Sequence, residues 1–267
     1  ILLLAINITV SFLGIYLFDF QPDGVINQPL VIILSILSGT IFMAFMMFVY
    51  IDGFYYLVAK TRPINSKFKH FLAKQMLAIP LHATNTRIKL IGKENLPEDP
   101  GFSIYANHTS MMDIPVLMCK LKKYPVAFLA KQVVRDVFSL GKWTPELGCV
   151  SIDRSNDRKA AESIINVIKN VKNGSTMVVF PEGTRTREIG QLIDFKAGSF
   201  KVALKSKAPL VPVTIVKPKN FNEVKWPFPK RITIVVHKPI PFAEFRKMSS
   251  IDLSDKVRDI IESKLEK

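Results

Sequence analysis

The chain has few of the residues that build metal centres and disulfides. It carries two cysteines and four histidines in 267 residues. Cys119 and Cys149 fit no metal-ligand spacing, and nothing suggests a small secreted scaffold, so they read as buried thiols. No metal is expected. No Gly-x-Ser-x-Gly elbow precedes a helix, so a hydroxyl to be activated would belong to a substrate rather than to the protein. No recognised nucleic-acid motif accompanies the basic charge, which argues against nucleic acid as a partner. There is no internal repeat and no low-complexity tract. Charge itself is missing from two long stretches, Ile1–Phe18 and Leu30–Ile51.

Those stretches set the first expectation. About 20 apolar residues span a bilayer core. The turn-like segment Asp19-Phe20-Gln21-Pro22-Asp23-Gly24 separates the two runs. A signal peptide fits the first run poorly, because it lacks a basic start and a small-residue cleavage site. Residues 1–59 are therefore expected to form a transmembrane helical hairpin. Its turn has no Lys or Arg, whereas Lys60, Arg62, Lys67, Lys69 and Lys74 follow it. Positive residues stay inside, so both hairpin ends and everything after residue 60 should face the cytoplasm. Tyr50, Tyr55 and Tyr56 stand where an interfacial aromatic belt would be. The reading is an integral membrane protein, in the plasma membrane if bacterial.

Residues 60–83 form a basic amphipathic linker. Phe68, Phe71, Leu72, Met76 and Ile79 recur at helical spacing, with Lys67, Lys69, His70 and Lys74 mostly off that stripe. Such a helix can lie flat on anionic lipid or pack on the following domain. From residue 84 to 267, strand-like runs alternate with helical patterns. The strand-like runs are Arg87–Ile91, Phe102–Ala106, Ala127–Ala130, Cys149–Ile152, Met177–Phe180, Leu210–Val216 and Arg231–His237. The helical patterns are Asp113–Leu121, Asn156–Val171, Ala197–Ser206 and Ser254–Leu265. Alternation predicts an α/β domain with a largely parallel or mixed sheet and flanking helices.

Two runs carry chemistry. Asn107-His108-Thr109-Ser110-Met111-Met112-Asp113 places a histidine and a carboxylate five positions apart, after an apolar strand. The carboxyl edge of such a sheet is where α/β proteins bind ligands. Asp113 can reach one ring nitrogen, fix the tautomer and stabilise the imidazolium that proton abstraction creates. The start of the following helix offers N–H groups to an oxyanion. Taken alone, a His-x4-Asp pair is more often a structural hydrogen bond. The second run, Phe180-Pro181-Glu182-Gly183-Thr184-Arg185, combines a glycine that permits close backbone approach, a hydroxyl and a guanidinium fork suited to phosphate. Lys131 and Arg154 also follow strands. Four strand ends thus deliver His108, Lys131, Arg154 and Arg185 to one rim. Lysines 120, 122 and 123 cluster after the Asp113 helix. Lys and Arg total 37 against 22 Asp and Glu, a net charge of +15, which favours anionic partners. His70, His82 and His237 read as structural or surface residues.

The ordered blocks Asn107-His108-x4-Asp113, Gly148–Arg154, Phe180–Arg185 and Val211-Pro212-Val213-Thr214-Ile215, with Phe195–Phe200 between the last two, resemble the 1-acyl-sn-glycerol-3-phosphate acyltransferases. The resemblance covers roughly residues 84–220 and implies the glycerolipid acyltransferase fold. It implies His108 as general base and Asp113 as its partner. Lys131, Arg154, Glu182, Gly183, Thr184 and Arg185 would bind the substrate phosphate, and Pro212 would shape the acyl site. Cys149 and Ser151 depart from the larger residues common in the second block.

The reaction so implied moves a fatty acyl group from a thioester to the 2-hydroxyl of lysophosphatidic acid, giving phosphatidic acid. The donor would be acyl-CoA or acyl-acyl-carrier protein, membrane lipid would be a partner, and no cofactor is expected. Three readings stay open beside it: glycerol 3-phosphate or another lysophospholipid as acceptor, a thioesterase or lysophospholipase using the same dyad, and a non-catalytic lipid-binding protein.

Overall fold

A computed structural model describes residues 16, 28–53, 55–131, 140–153, 156–186 and 188–265. The chain divides into two compact units, residues 1–61 and 62–267. In the first unit, helix α1 (Gln28–Phe48) is 21 residues long and is followed by π-helical turns at Val49–Gly53 and Tyr55–Ala59. The first arm of the expected hairpin and its turn lie outside the described residues, apart from Tyr16. Side chains of α1 are described from Ile33 onward, and Ile33, Ile36, Leu37, Ile41 and Phe45 are exposed. Among the described residues no helix is long and apolar enough to cross a membrane.

The second unit is an α/β domain built on one seven-stranded mixed sheet. Its strands are β1 (Thr86–Ile91), β2 (Ser103–Ala106), β3 (Val126–Lys131), β4 (Val150–Ile152), β5 (Thr176–Val179), β6 (Leu210–Val216) and β7 (Lys230–Val236). Their order is β1-β7-β6-β2-β5-β3-β4. The run β6-β2-β5-β3-β4 is parallel throughout, and β7 is antiparallel to β6. The carboxyl ends of five strands therefore share one rim.

The strands form because their side chains alternate between two buried layers. Ile104, Ala106, Val178, Val211 and Val213 enter one apolar cluster, whereas Tyr105, Met177, Val179 and Leu210 enter the other. The first layer is closed by α2 (Lys67–Ala83) and α3 (Asp113–Lys120), the second by α5 (Asp157–Lys172), α6 (Lys201–Ser206), the short α7 (Phe242–Phe245) and α8 (Ser250–Glu262), and a further short helix, α4 (Leu140–Glu146), buries Trp143. Full burial of one such aliphatic side chain contributes about 1.5–3 kcal/mol. Helix ends follow sequence signals: Asn156 caps α5 through Lys159 N, and Ser249 forms a capping box with Asp252 on α8. Cys119 and Cys149 are free thiols, half-buried rather than buried as expected, and loss of solvent around the Cys149 sulfur pushes its thiol up to about 11.

Helix α2 turns most of the basic residues of the linker inward. Lys69, His70 and Lys74 are buried, while Phe68, Phe71 and Ile79 are exposed. The lysines turn inward because they meet helix ends. Lys69 Nζ donates to Glu146 O at 2.8 Å, at the carboxyl end of α4. Lys74 Nζ donates to Lys122 O at 2.8 Å and Tyr124 O at 3.0 Å, just past the end of α3. Carbonyls left over at helix ends attract cations. Of the four basic residues that lie mostly off the apolar stripe, only Lys67 is exposed.

His70 gives this docking a pH dependence. Its Nε2 faces Ile64 O at 2.9 Å and its Nδ1 is buried without a partner. Burial pushes the imidazole down to about 4, and the nearby Lys74 and Lys69 add to the effect. The unfolded chain therefore takes up this proton first as pH falls from 6.5, and stability is lost from there down to pH 4. Thermal melts at pH 7.5 and 4.5 should show an acid loss of about 2 kcal/mol in the wild type that His70→Gln lacks. Equal acid losses in both proteins would remove His70 from the effect.

Candidate active site

The site is assembled where β2 runs out of the sheet. The β2–β6 ladder ends at Ala106↔Val213, and Asn107 continues it with its side chain. Asn107 Nδ2 donates to Ile215 O at 3.0 Å, and Ile215 N donates to Asn107 Oδ1 at 2.7 Å. A fully buried amide thus acts as one more ladder residue and sets His108 on the rim.

His108 Nδ1 lies 2.9 Å from Asp113 Oδ2. The same oxygen accepts Thr109 N and Ser110 N, each at 2.8 Å. Asp113 Oδ1 accepts Lys217 Nζ at 2.5 Å, and Lys217 Nζ also donates to Thr109 Oγ1 at 2.5 Å. Burial by itself would raise the Asp113 carboxyl. Hydrogen bonding from His108, the charge and hydrogen bond of Lys217, and Ser110 N outweigh it and hold the group below the usual carboxylate range. An ionised Asp113 can only accept, so the neutral imidazole carries its proton on Nδ1 and a lone pair on Nε2. The ring stacks on Phe180 at 4.1 Å, and its side chain is 16% exposed. A ring so held in one tautomer is able to accept a proton at Nε2. The helix start contributes less than expected: Asp113 N already donates to Ser110 O, and position 115 is proline with no N–H.

The second run follows β5 and returns to the first. Gly183 takes φ +75°, a left-handed conformation that other residues adopt at a cost, and its N–H closes a turn on Phe180 O. Thr186 N donates to His108 O at 2.8 Å. Thr184 and Arg185 are exposed on the loop so held. Glu182 faces the other way. It is buried, and its carboxylate accepts His108 N at 2.7 Å, Thr186 Oγ1 and Ile193 N. Burial raises its carboxyl, against the lowering effect of those hydrogen bonds. Glu182 therefore joins the two loops, and a carboxylate so engaged adds no attraction for phosphate.

The remaining expected residues fall as follows. Lys131 ends β3 on the same rim, beside Ile152 of β4. Its side chain, like all of Arg154, lies outside the described residues. Pro212 is buried in β6, where Pro212 O accepts His237 N at 3.0 Å. The reciprocal bond would need an N–H. Its absence falls where the β6–β7 register shifts by one residue, between Val213↔Val236 and Leu210↔Ile240. Of the other histidines, His82 Nδ1 meets Ala78 O, and His237 Nε2 meets Thr214 Oγ1. Among the described residues, no group of three or more His, Cys, Asp or Glu could hold a metal ion.

Sequence reasoning missed Lys217, Thr109 and Thr186. A usable signal for Lys217 existed: it follows an apolar strand directly, as Lys131 does.

Comparison with known proteins bears on this geometry. The acyltransferase family matches residues 87–216. The 1-acyl-sn-glycerol-3-phosphate acyltransferase of Bacillus subtilis is 30% identical over 164 residues, covering 61% of this chain and 78% of that one. The chain belongs to the 1-acyl-sn-glycerol-3-phosphate acyltransferase family. The enzyme of the same name from Borreliella burgdorferi is 29% identical over 198 residues, 73% of this acyltransferase and 78% of its relative. The crystal structure of the 1-acyl-sn-glycerophosphate (LPA) acyltransferase PlsC from Thermotoga maritima superposes with a TM-score of 0.64 at 25% identity, covering 83% of this acyltransferase and 91% of that chain. The mixed α/β sheet with flanking helices is thus the fold of this enzyme family.

Proposed function

We propose that this acyltransferase moves a fatty acyl group from an acyl thioester to the 2-hydroxyl of 1-acyl-sn-glycerol 3-phosphate, giving phosphatidic acid. The observation that carries the reading is the His108–Asp113 pair, 2.9 Å apart, beside a loop that exposes Thr184 and Arg185. His108 Nε2 takes the hydroxyl proton as the oxygen attacks the thioester carbonyl. The tetrahedral intermediate collapses with loss of the thiolate, and the imidazolium returns its proton to that sulfur. Asp113 holds the ring, so no acyl-enzyme is needed. Arg185, with Thr184, Gly183, Lys131 and Arg154, binds the acceptor phosphate, and positioning of the hydroxyl supplies much of the rate.

The acceptor and product are lipids, which fits a chain with an uncharged α1 and an outward Phe68, Phe71 and Ile79 on α2. In this reading the first unit anchors the enzyme in the membrane and the catalytic domain works on the cytoplasmic face. Both candidate donors, acyl-CoA and acyl-carrier protein, are anionic and suit the exposed Lys122 and Lys123.

The test offers purified enzyme one thioester and, in turn, lysophosphatidic acid, glycerol 3-phosphate, lysophosphatidylcholine and water. Phosphatidic acid from lysophosphatidic acid should dominate, and faster thioester hydrolysis without any acceptor would overturn the reading in favour of a hydrolase. Arg185→Ala should lower kcat/KM for lysophosphatidic acid by about ten-fold or more, since a hydrogen bond to a charged group contributes roughly 1.5–3 kcal/mol. Unchanged acceptor kinetics would place Arg185 outside the phosphate site.

A further inference from the structure

We infer that Lys217 is a positioning residue whose charge opposes uptake of an extra proton by the His108–Asp113 pair. The inference rests on the reading of His108 as the base. Lys217 stands directly after β6, four-per-cent exposed, and its ammonium reaches across to the loop after β2. One N–H goes to Asp113 Oδ1 and one to Thr109 Oγ1. The face of Phe221, with its ring centroid 5.4 Å away, covers the head group further. A buried ammonium loses its hydration and persists only where partners replace it.

The two oxygens of Asp113 divide the work. Oδ2 takes His108 and two backbone N–H groups, while Oδ1 takes Lys217. Asp113 therefore stays ionised and cannot swing toward another donor, which fixes the imidazole in turn.

The cation also changes what the pair does with protons. A carboxylate alone beside an imidazole favours the imidazolium, and an imidazolium has no lone pair with which to act as a base. A positive charge on the far oxygen opposes any further proton on the pair, wherever within the pair that proton resides. Among the described residues, the charged side chains bonded to His108 or Asp113 from neighbouring elements are Lys217 and Glu182. Glu182 pulls the other way, by attracting a proton. Arg185, exposed on the Glu182 loop, adds positive charge when phosphate is absent and is neutralised when phosphate binds. Lys217 is thus the fixed cation that offsets Glu182 in both states.

A purely structural lysine would make a different prediction from a charge-setting one. Lys217→Met keeps the length and apolar stem of the side chain but not its charge. In that variant the acidic limb of kcat/KM should move up by about one pH unit or more, with activity recovering toward wild type as pH is raised further. Lys217→Arg should keep the wild-type limb. The proton affinity of the ring is read independently of turnover from the ¹⁵N imidazole signals of His108, assigned by their loss in His108→Ala. Those signals should titrate at higher pH in Lys217→Met than in wild type. If Lys217→Met does not fold, Lys217→Gln replaces it in both measurements. Unmoved imidazole titration would overturn the inference, whatever happens to the rate. Imidazole signals that move while the rate profile does not would keep Lys217 in its role and instead sink His108 as the base.

Discussion

His108→Ala is expected to lower acyl transfer by about 10²–10⁴-fold, the range that a general base contributes, and to leave the protein folded. Its Nδ1 is committed to Asp113, so Nε2 alone is left to accept a proton. The nearest other carboxylate is no substitute, because both Glu182 oxygens already accept hydrogen bonds from His108 N, Thr186, and Ile193 N. Truncation removes a ring that stacks on Phe180 and is partly exposed, so the cavity left behind is open and its cost small. Phosphatidic acid formation and a thermal melt on the same sample separate the two effects. A folded His108→Ala protein within a few-fold of wild-type kcat/KM would exclude the mechanism. Asp113→Asn is the less clean experiment. It strips the charge from His108 but also leaves the buried Lys217 ammonium without its counter-ion, which mixes a catalytic loss with a folding defect.

Glu182→Ala is expected to act through the scaffold, with the largest stability cost of the variants considered. The carboxylate is buried and receives three donors from three separate stretches of chain. Removing it leaves those donors facing an apolar gap, at roughly 1–3 kcal/mol for each buried orphan. A loss of about 3 kcal/mol or more should lower Tm by roughly 6–12 °C for a unit of this size. Activity should fall as well, because His108 N loses the contact that sets its loop. Glu182→Gln keeps the shape and one acceptor oxygen and should fall between the two. A Tm within about 2 °C of wild type for Glu182→Ala would show that the two loops hold each other without it.

Most of the sheet was legible because its strands are apolar runs bounded by turns. Leu210–Val216 has the expected ends, and in the other strands no end moves by more than one residue. Helix α4 was not legible: Gly141 and Pro145 interrupt a seven-residue segment that has no apolar period. Helix α2 was legible as a helix but not in its orientation. Periodicity sorts residues by side-chain class, and it cannot know that Lys69 and Lys74 will find helix-end carbonyls. The His108–Asp113 pair could be read from spacing, because one short loop separates His108 from Asp113 at the start of α3. Lys217 could not be paired with Asp113 that way, since the contact spans 104 residues. Glu182 was read in its place but not in its direction: the motif says that a carboxylate is present, and only the folded loops say that it points inward.

The Asn107 amide, bonded in both directions to Ile215 across 108 residues, ties catalysis to the order of folding. Loop closure of that length must come before the bonds that reward it. Neither β2 with its loop nor β6 holds the site alone, and Glu182 brings in the loop after β5, 74 residues from His108 within that same span. No local fragment of the chain can therefore preassemble a working dyad. During refolding, turnover should return only with the last cooperative step, after helical signal has recovered, and in denaturant it should vanish together with the central strands rather than ahead of them.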